Sequence, residues 1–299
     1  MYNNVDKQIL STKEGILLMK TAIVTDSTAY IPQQVLEQLN IMVCPLNVIF
    51  GAESYQEELQ LSADDFYEKV KDAPELPKTS QPAIGLFVET FKGLAEKGYE
   101  AVISIHLSSG ISGTYQGSIT AGEMVDGIEV FSFDSEISCM PQGFYVIEAA
   151  EMAQQGKGPE EILERLNEMK KSMRAYFLVD DLAHLQRGGR LNGAQALIGS
   201  LLQVKPLLHF EHTKIVPFEK IRTHRKAIKR LLELFDEDAS TGVPIRASFI
   251  HANRPEIAAE IKNEIQEQYP NVEIDTSYFG AVIGTHLGEG ALGLGWYKK

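Results

Sequence analysis

The chain reads as α/β, with two successive α/β domains, on three observations. Short apolar, β-branched runs alternate with amphipathic stretches over the first 172 residues, which implies a mostly parallel sheet with helices on both faces. From residue 173 the pattern changes: VKPLLHF and KIVPFEKI are separated only by Glu211-His212-Thr213, a connection that forces an antiparallel hairpin. The 299 residues, 44% of them apolar and 23% charged, are enough for two domains with sizeable cores. The expected division is residues 1–18 as a poorly ordered upstream extension, 19–172 as the N-terminal domain, and 173–299 as a C-terminal domain with a mixed or antiparallel sheet.

Taken in order, Lys20–Asp26 is a first strand that ends in the polar turn Asp26-Ser27-Thr28. Pro32 sits at the start of a helix through about Leu39, where its missing N–H is tolerated. Ile41–Phe50 is a second strand, bent or at an edge because of Pro45. Ser62 with Asp65 opens an amphipathic helix, Pro74–Gly85 is a proline-punctuated loop, and a helix follows to about Lys97. Ala101–Leu107 is a buried strand running into HLSSGISGTYQG, with a helix beginning near Ser112. Ile128–Asp134 is another strand, followed by helices near Pro141–Gln154 and Pro159–Ser172. Beyond it come a strand at Ala175–Asp181, a loop and helix over HLQRGGRLNGAQALIGSLL, and the hairpin. A basic helix, a strand (Ile245–His251), a helix (Pro255–Gln268), a strand (Val272–Tyr278) and the glycine-rich GTHLGEGALGLGWYKK complete the chain.

Composition narrows the function. A net charge of −13 opposes nucleic-acid binding over the whole surface. Cys44 and Cys139 have no metal-ligand or CxxC spacing, so no metal is expected, and buried thiols in a reducing cytoplasm are. No apolar run approaches the roughly 18–20 residues that cross a bilayer.

Four stretches set donors beside glycine or proline: Thr79-Ser80-Gln81-Pro82, Ser108–Thr114, Arg187-Gly188-Gly189-Arg190 and Thr285–Gly290. Hydroxyls, an imidazole and a guanidinium all donate to a carboxylate or phosphate. The turn after Leu107 is either such an anion site or simply a capped βα loop. In Gly110-Ile111-Ser112-Gly113-Thr114 the second glycine comes one residue too early for a nucleophile elbow, which leaves a serine esterase or acyl hydrolase using Ser112 and His286 as the alternative. No phosphate-binding glycine motif is present. A third reading is a regulatory module for a small anion, without a lipid tunnel. Lys220–Arg230 holds six of the 28 Lys and Arg residues, either as a solvated helix face or as a patch for an acidic partner or an anionic membrane surface.

The segments TAIVTDSTA, TSQPAIG, LSSGISGTYQ, FDS, LQRGGR, LLQVKPLL and IGTHLGEGALGLG, in this order, resemble the DegV family from about residue 20 to the end. The resemblance implies two α/β domains and a non-catalytic subunit that binds a long-chain fatty acid as its ligand, without a cofactor. The carboxylate would lie at the domain interface and the acyl chain in a tunnel of the C-terminal domain. A separate ATP-binding fatty acid kinase subunit would phosphorylate that carboxylate for phospholipid synthesis. Carried over by position, Thr79 and Ser112 hold the carboxylate, Arg190 and His286 support it, and Arg222 docks the kinase. Ser80, Ser109, Gly113 and Thr285 are further supporting candidates. Glu289 departs from the family, in which many members have proline, and is expected to put a carboxylate near the anion site. The chain is expected to be monomeric.

Overall fold

The computed structural model describes residues 19–191 and 205–299. The expected extension 1–18, residues 192–202 of the expected loop-and-helix segment, and residues 203–204 lie outside the described residues. The first part runs β1 (Thr21–Asp26), α1 (Gln33–Gln38), β2 (Met42–Cys44), β3 (Asn47–Phe50), β4 (Glu53–Gln56), α2 (Ala63–Lys71), β5 (Lys78–Ser80), α3 (Ile84–Glu96), β6 (Ala101–His106), α4 (Thr114–Gly122), β7 (Glu129–Asp134), α5 (Met140–Gln154) and α6 (Pro159–Ser172). The second runs β8 (Arg174–Leu178), α7 (Ala183–Arg187), β9 (Leu207–Glu211), β10 (Lys214–Glu219), α8 (His224–Ala239), β11 (Ile245–His251), α9 (Pro255–Gln268), β12 (Val272–Tyr278), α10 (Ala281–Leu287) and β13 (Leu292–Lys298).

A four-stranded parallel sheet, ordered β2-β1-β6-β7, forms the N-terminal part. Alternation along its central strands explains the helices on both faces. Ile23, Ile103 and Ile105 pack with Phe144 and Ile147 of α5, whereas Ala22, Val24 and Val102 pack with Phe87 and Phe91 of α3. The expected single bent strand over Ile41–Phe50 is instead two strands. Pro45 separates β2 from β3, and β3 leaves to form a three-stranded antiparallel sheet, β4-β3-β5. The expected loop around TSQP therefore begins as a strand, with Thr79 paired to Val48 and Ser80 to Asn47.

The C-terminal part is a mixed six-stranded sheet, β10-β9-β8-β13-β11-β12. Only β11 and β12 pair in parallel, joined through α9. The β9–β10 connection shortens to His212-Thr213, whose φ angles of 46° and 68° are those of a type I′ turn. The glycine-rich end is not a loop: it folds into α10 and into β13, which is buried between β8 and β11. Gly295 is required there, since a Cβ would strike the Pro141 ring of α5. One face of this sheet packs on α8 and α9 through Phe235, Trp296 and Ile261. The other turns towards the N-terminal part. Among the described residues no helix is long and apolar enough to cross a membrane.

Candidate functional site

Of the three polar strand ends in the parallel sheet, two are consumed by the fold. Asp26 is buried and accepts from the Leu107 amide at 3.0 Å, the Thr28 hydroxyl at 2.6 Å and Gln142 at 3.2 Å, and it lies 3.0 Å from His106 Nδ1. Burial opposes its ionisation, but the His106 contacts and these hydrogen bonds outweigh burial and lower its pKa. Ser104 Oγ stands 2.7 Å from His106 Nε2, so a serine, a histidine and an aspartate are joined, all three buried. Asp134 accepts the amides of Ser109 and Glu136. Asp26 and Ser27 also border a larger groove and Ser135 a smaller cleft, whereas the turn after β6 lines the cavity between the two parts.

That turn divides its work. Ser108 donates to the Thr213 carbonyl at 2.6 Å, and Gly110 lies so close beneath Thr213 that a side chain there would collide with it. The β9–β10 turn is thus seated on the N-terminal part. Three residues on, Ser112 lines a cavity of about 250 Å³ between the two parts. Helix α4 begins at Thr114, with Gly113 as its N-cap, rather than near Ser112. Ser112 is left outside the helix. Its Oγ accepts the Thr114 amide at 3.3 Å and sits 2.8 Å from the Thr114 hydroxyl. Either hydroxyl can donate in this pair; with Thr114, which is buried, as the donor, Ser112 keeps its own proton for the cavity.

Across the cavity, Thr79 Oγ1 and His286 Nε2 are 2.8 Å apart. Burial, aided by the Arg190 charge and by His184, pushes the His286 pKa down to about 4, so the ring is neutral near pH 7. His286 Nδ1 has no hydrogen-bond partner among the described residues and faces Gly188, where any side chain would strike the ring. An orphaned N–H is a buried donor without an acceptor, so we assign the proton to Nε2. His286 then donates to Thr79, and the Thr79 hydroxyl is free to donate onward.

Arg190 lines the same cavity. Its Nε donates to the Ile111 carbonyl at 3.2 Å and its Nη1 to the Gly188 carbonyl, tying the Ser112 turn to the His286 side. Burial lowers its pKa. Ser80 and Gly113 also line the cavity, and Ser80 accepts from Asn47 at 3.3 Å.

Two expected supporting residues do not face it. Ser109 is exposed on the far side of the turn, and Thr285 spends its hydroxyl on the Ala281 carbonyl at 2.8 Å. Glu289 is also turned away, to Asn253 at 2.8 Å and Arg254 at 4.0 Å, which corrects the expectation of a carboxylate beside the anion site. Ser112 and His286 each bond a threonine, and among the described residues no hydrogen bond joins them to each other.

Away from the polar cluster the walls are apolar and come from both parts of the chain. Phe177, Phe210, Ile215 and Ile250 belong to the six-stranded sheet, Leu46 and Leu107 to the N-terminal part. The tunnel expected within the C-terminal domain is therefore an interface cavity. Cys139 lines it with a thiol whose pKa burial pushes up to about 12, leaving it protonated. Gln81 and Thr114 lie within the donor stretches marked in the sequence, but neither they nor Cys139 carry a signal there that assigns them an individual role at the site.

Arg222 lies well apart, exposed on the link from β10 to α8. Two of the six basic residues of the stretch are neutralised locally: Arg230 meets Glu219 at 2.9 Å and Glu237 at 3.5 Å, and Lys229 meets Glu233 at 3.6 Å. Arg222, Arg225 and Lys226 are exposed, with no ion pair among the described residues.

A larger groove of about 780 Å³ opens beside Tyr30, Glu57 and Tyr278. It does not reach Thr79, Ser112, Arg190 or His286.

The model of the DegV family, described as one of uncharacterised proteins, matches residues 20–299. Protein DegV of Bacillus subtilis (strain 168) is 61% identical over 282 residues, 94% of this chain and 100% of that protein. A DegV domain-containing protein of Halalkalibacterium halodurans is 56% identical over 280 residues, covering 94% and 99%. The crystal structure of DegV, a fatty acid binding protein from Bacillus subtilis, superposes with a TM-score of 0.90 over 94% of this chain and 100% of that one, at 61% identity. A DegV family protein from Thermus thermophilus, whose structure is described for its fatty acid binding, gives a TM-score of 0.87 at 30% identity, covering 94% and 100%. On these matches, which span both parts of the fold, the chain belongs to the DegV family.

Proposed function

We propose that this protein binds a long-chain fatty acid, with the carboxylate on Thr79 and Ser112 and the acyl chain in the interface cavity. One observation carries the reading: an apolar cavity ends at two hydroxyls, Thr79 paired with His286 and Ser112 with Thr114, with Arg190 alongside. Neutral donors hold a carboxylate without enclosing a full ion pair, whose desolvation is costly. A chain of about 16 carbons supplies most of the affinity, at roughly 0.8 kcal/mol per buried CH₂, so the head group chiefly sets orientation. The fatty acid binding described for the Bacillus and Thermus relatives supports the same ligand.

The finer reading is a substrate-presenting subunit in the cytoplasm. The sequence has no phosphate-binding glycine motif, so ATP would be held by a separate kinase subunit. The presented carboxylate oxygen would attack the γ-phosphoryl group, releasing ADP and forming an acyl phosphate for phospholipid synthesis. Arg222 would dock that subunit, and Arg225 and Lys226 extend the exposed positive surface towards it or, transiently, towards anionic lipid. The test is native mass spectrometry of protein purified from a bacterial host, with extraction of bound lipid. A fatty acid released in about equimolar amount is expected. Failure to find one, with no uptake of added palmitate, overturns the reading.

A further inference from the structure

Helix α10 contributes Val282, Ile283 and Leu287 to the acyl cavity, with His286 in its last turn. It packs on β3 and β5, and it is gripped at both ends by the small sheet those strands form with β4. Thr79 of β5 holds His286 at one end. At the other, Glu57, directly after β4, is wholly buried. Its Oε1 accepts the Val282 amide at 2.7 Å and the Tyr30 hydroxyl at 2.9 Å, and its Oε2 accepts the Ser27 hydroxyl at 2.5 Å. The Tyr30 hydroxyl accepts the Ile283 amide at 3.4 Å. Gly280 makes the approach possible, since a Cβ there would strike Tyr30 and crowd Glu57.

Val282 and Ile283 lie in the first turn of α10, where amides have no partner within the helix and need an acceptor from outside. A buried carboxyl is a costly acceptor, and packing alone would be served as well by an apolar side chain. What Glu57 adds is a fixed point. Thr79 lies in this small sheet, and the anchor of the helix that carries Thr79's partner follows directly on its strand β4.

We propose that Glu57 is a positioning residue of the carboxylate site: by anchoring the start of α10 it sets the His286 ring against Thr79 and aligns the acyl-cavity wall. The proposal rests on the fatty-acid reading for its ligand, while its geometric part stands on α10 alone. Glu57→Gln keeps the Oε1 acceptor and presents an NH₂ that the Ser27 oxygen can accept. Glu57→Ala removes the anchor.

Two quantities are measured on the full chain: palmitate affinity, and the His286 titration midpoint by NMR of the imidazole. For Glu57→Ala we expect affinity to fall roughly tenfold and the His286 midpoint to rise from about 4 towards the ordinary value, as the ring loosens and hydrates. Glu57→Gln should stay within about threefold and keep the low midpoint. If Glu57→Ala does not fold, Tyr30→Phe, which removes the hydroxyl shared by Glu57 and Ile283, should raise the midpoint in the same direction. A folded Glu57→Ala with unchanged midpoint and affinity, equal impairment of the Ala and Gln variants, or an unmoved midpoint in Tyr30→Phe overturns the proposal. If wild type binds no palmitate, the fatty-acid reading fails, and the His286 midpoints still decide the role of Glu57.

Discussion

Thr79 and His286, 207 positions apart, meet at 2.8 Å across the two parts of the chain. The contact orients a proton. Because the ring donates, Thr79 is committed as a donor to whatever lies in the cavity. Thr79→Val, which keeps the shape and removes the hydroxyl, should weaken palmitate binding by about 1 kcal/mol, near fivefold, with the denaturation midpoint almost unchanged. Isothermal titration of the two proteins gives the comparison. Equal affinities would remove Thr79 from the head-group site.

Ser112 depends on Thr114 in the same way. Ser112→Ala should reduce affinity by roughly 1–2 kcal/mol. Thr114→Val should cost less, because the Ser112 hydroxyl survives but is no longer held by the Thr114 hydroxyl. The double variant should fall short of the sum of the two. Additive losses in a double-mutant cycle would show that the two hydroxyls act separately. A p-nitrophenyl ester hydrolysed by wild type and not by Ser112→Ala would favour the esterase reading instead.

Glu57 and His286 give stability opposite dependences on pH. Burial raises the folded-state pKa of Glu57 to about 7, against the hydrogen bonds from Ser27, Val282 and Tyr30, with neighbouring Glu58 adding to the rise. The folded chain therefore holds that proton more tightly, and the contribution is present at low pH and lost as pH rises from about 4.5 to about 7. For His286, with its pKa lowered to about 4, the contribution is present above about 6.5 and lost as pH falls towards 4. Glu57→Gln carries no such proton, so its stability relative to wild type should climb between those pH values by on the order of 1–3 kcal/mol. Urea titrations at several pH values measure the difference, and a flat difference would place the Glu57 carboxyl in contact with solvent.

Arg222→Glu is expected to leave palmitate binding unchanged, because the residue is exposed and does not line the cavity. Acyl-phosphate formation with the kinase subunit present should fall several-fold, and more steeply at low ionic strength. Unaltered turnover would move docking to another surface.

The parallel strands were legible because both faces are covered, which makes them continuous apolar runs such as Ala101–Leu107. Thr79, Ser112, Arg190 and His286 stand out as donors beside glycine or proline, and all four line one cavity. Thr285 shows the limit of that argument. One residue from His286 along a helix is a turn of about 100°, enough to face its hydroxyl into the helix backbone. Strand β13 was hidden because Gly293 and Gly295 look like a loop, although they are spaced two apart, and Gly295 is glycine to let α5 approach. Glu57 carried no signal at all. A lone acid in a turn is ordinary in sequence, and its role arises only when residues 225 positions later fold against it.

Strand β13 has a further consequence, for the order of events during synthesis. It occupies the centre of the six-stranded sheet, yet it follows every other strand in the chain. Until it is inserted, β8 and β11 have no common neighbour, and the wall that bears Phe177 and Ile250 is not assembled. A chain in which β13 is not yet inserted thus presents open apolar edges of β8 and β11 rather than a closed cavity, and the proposed ligand would find its site only after β13 has joined the two.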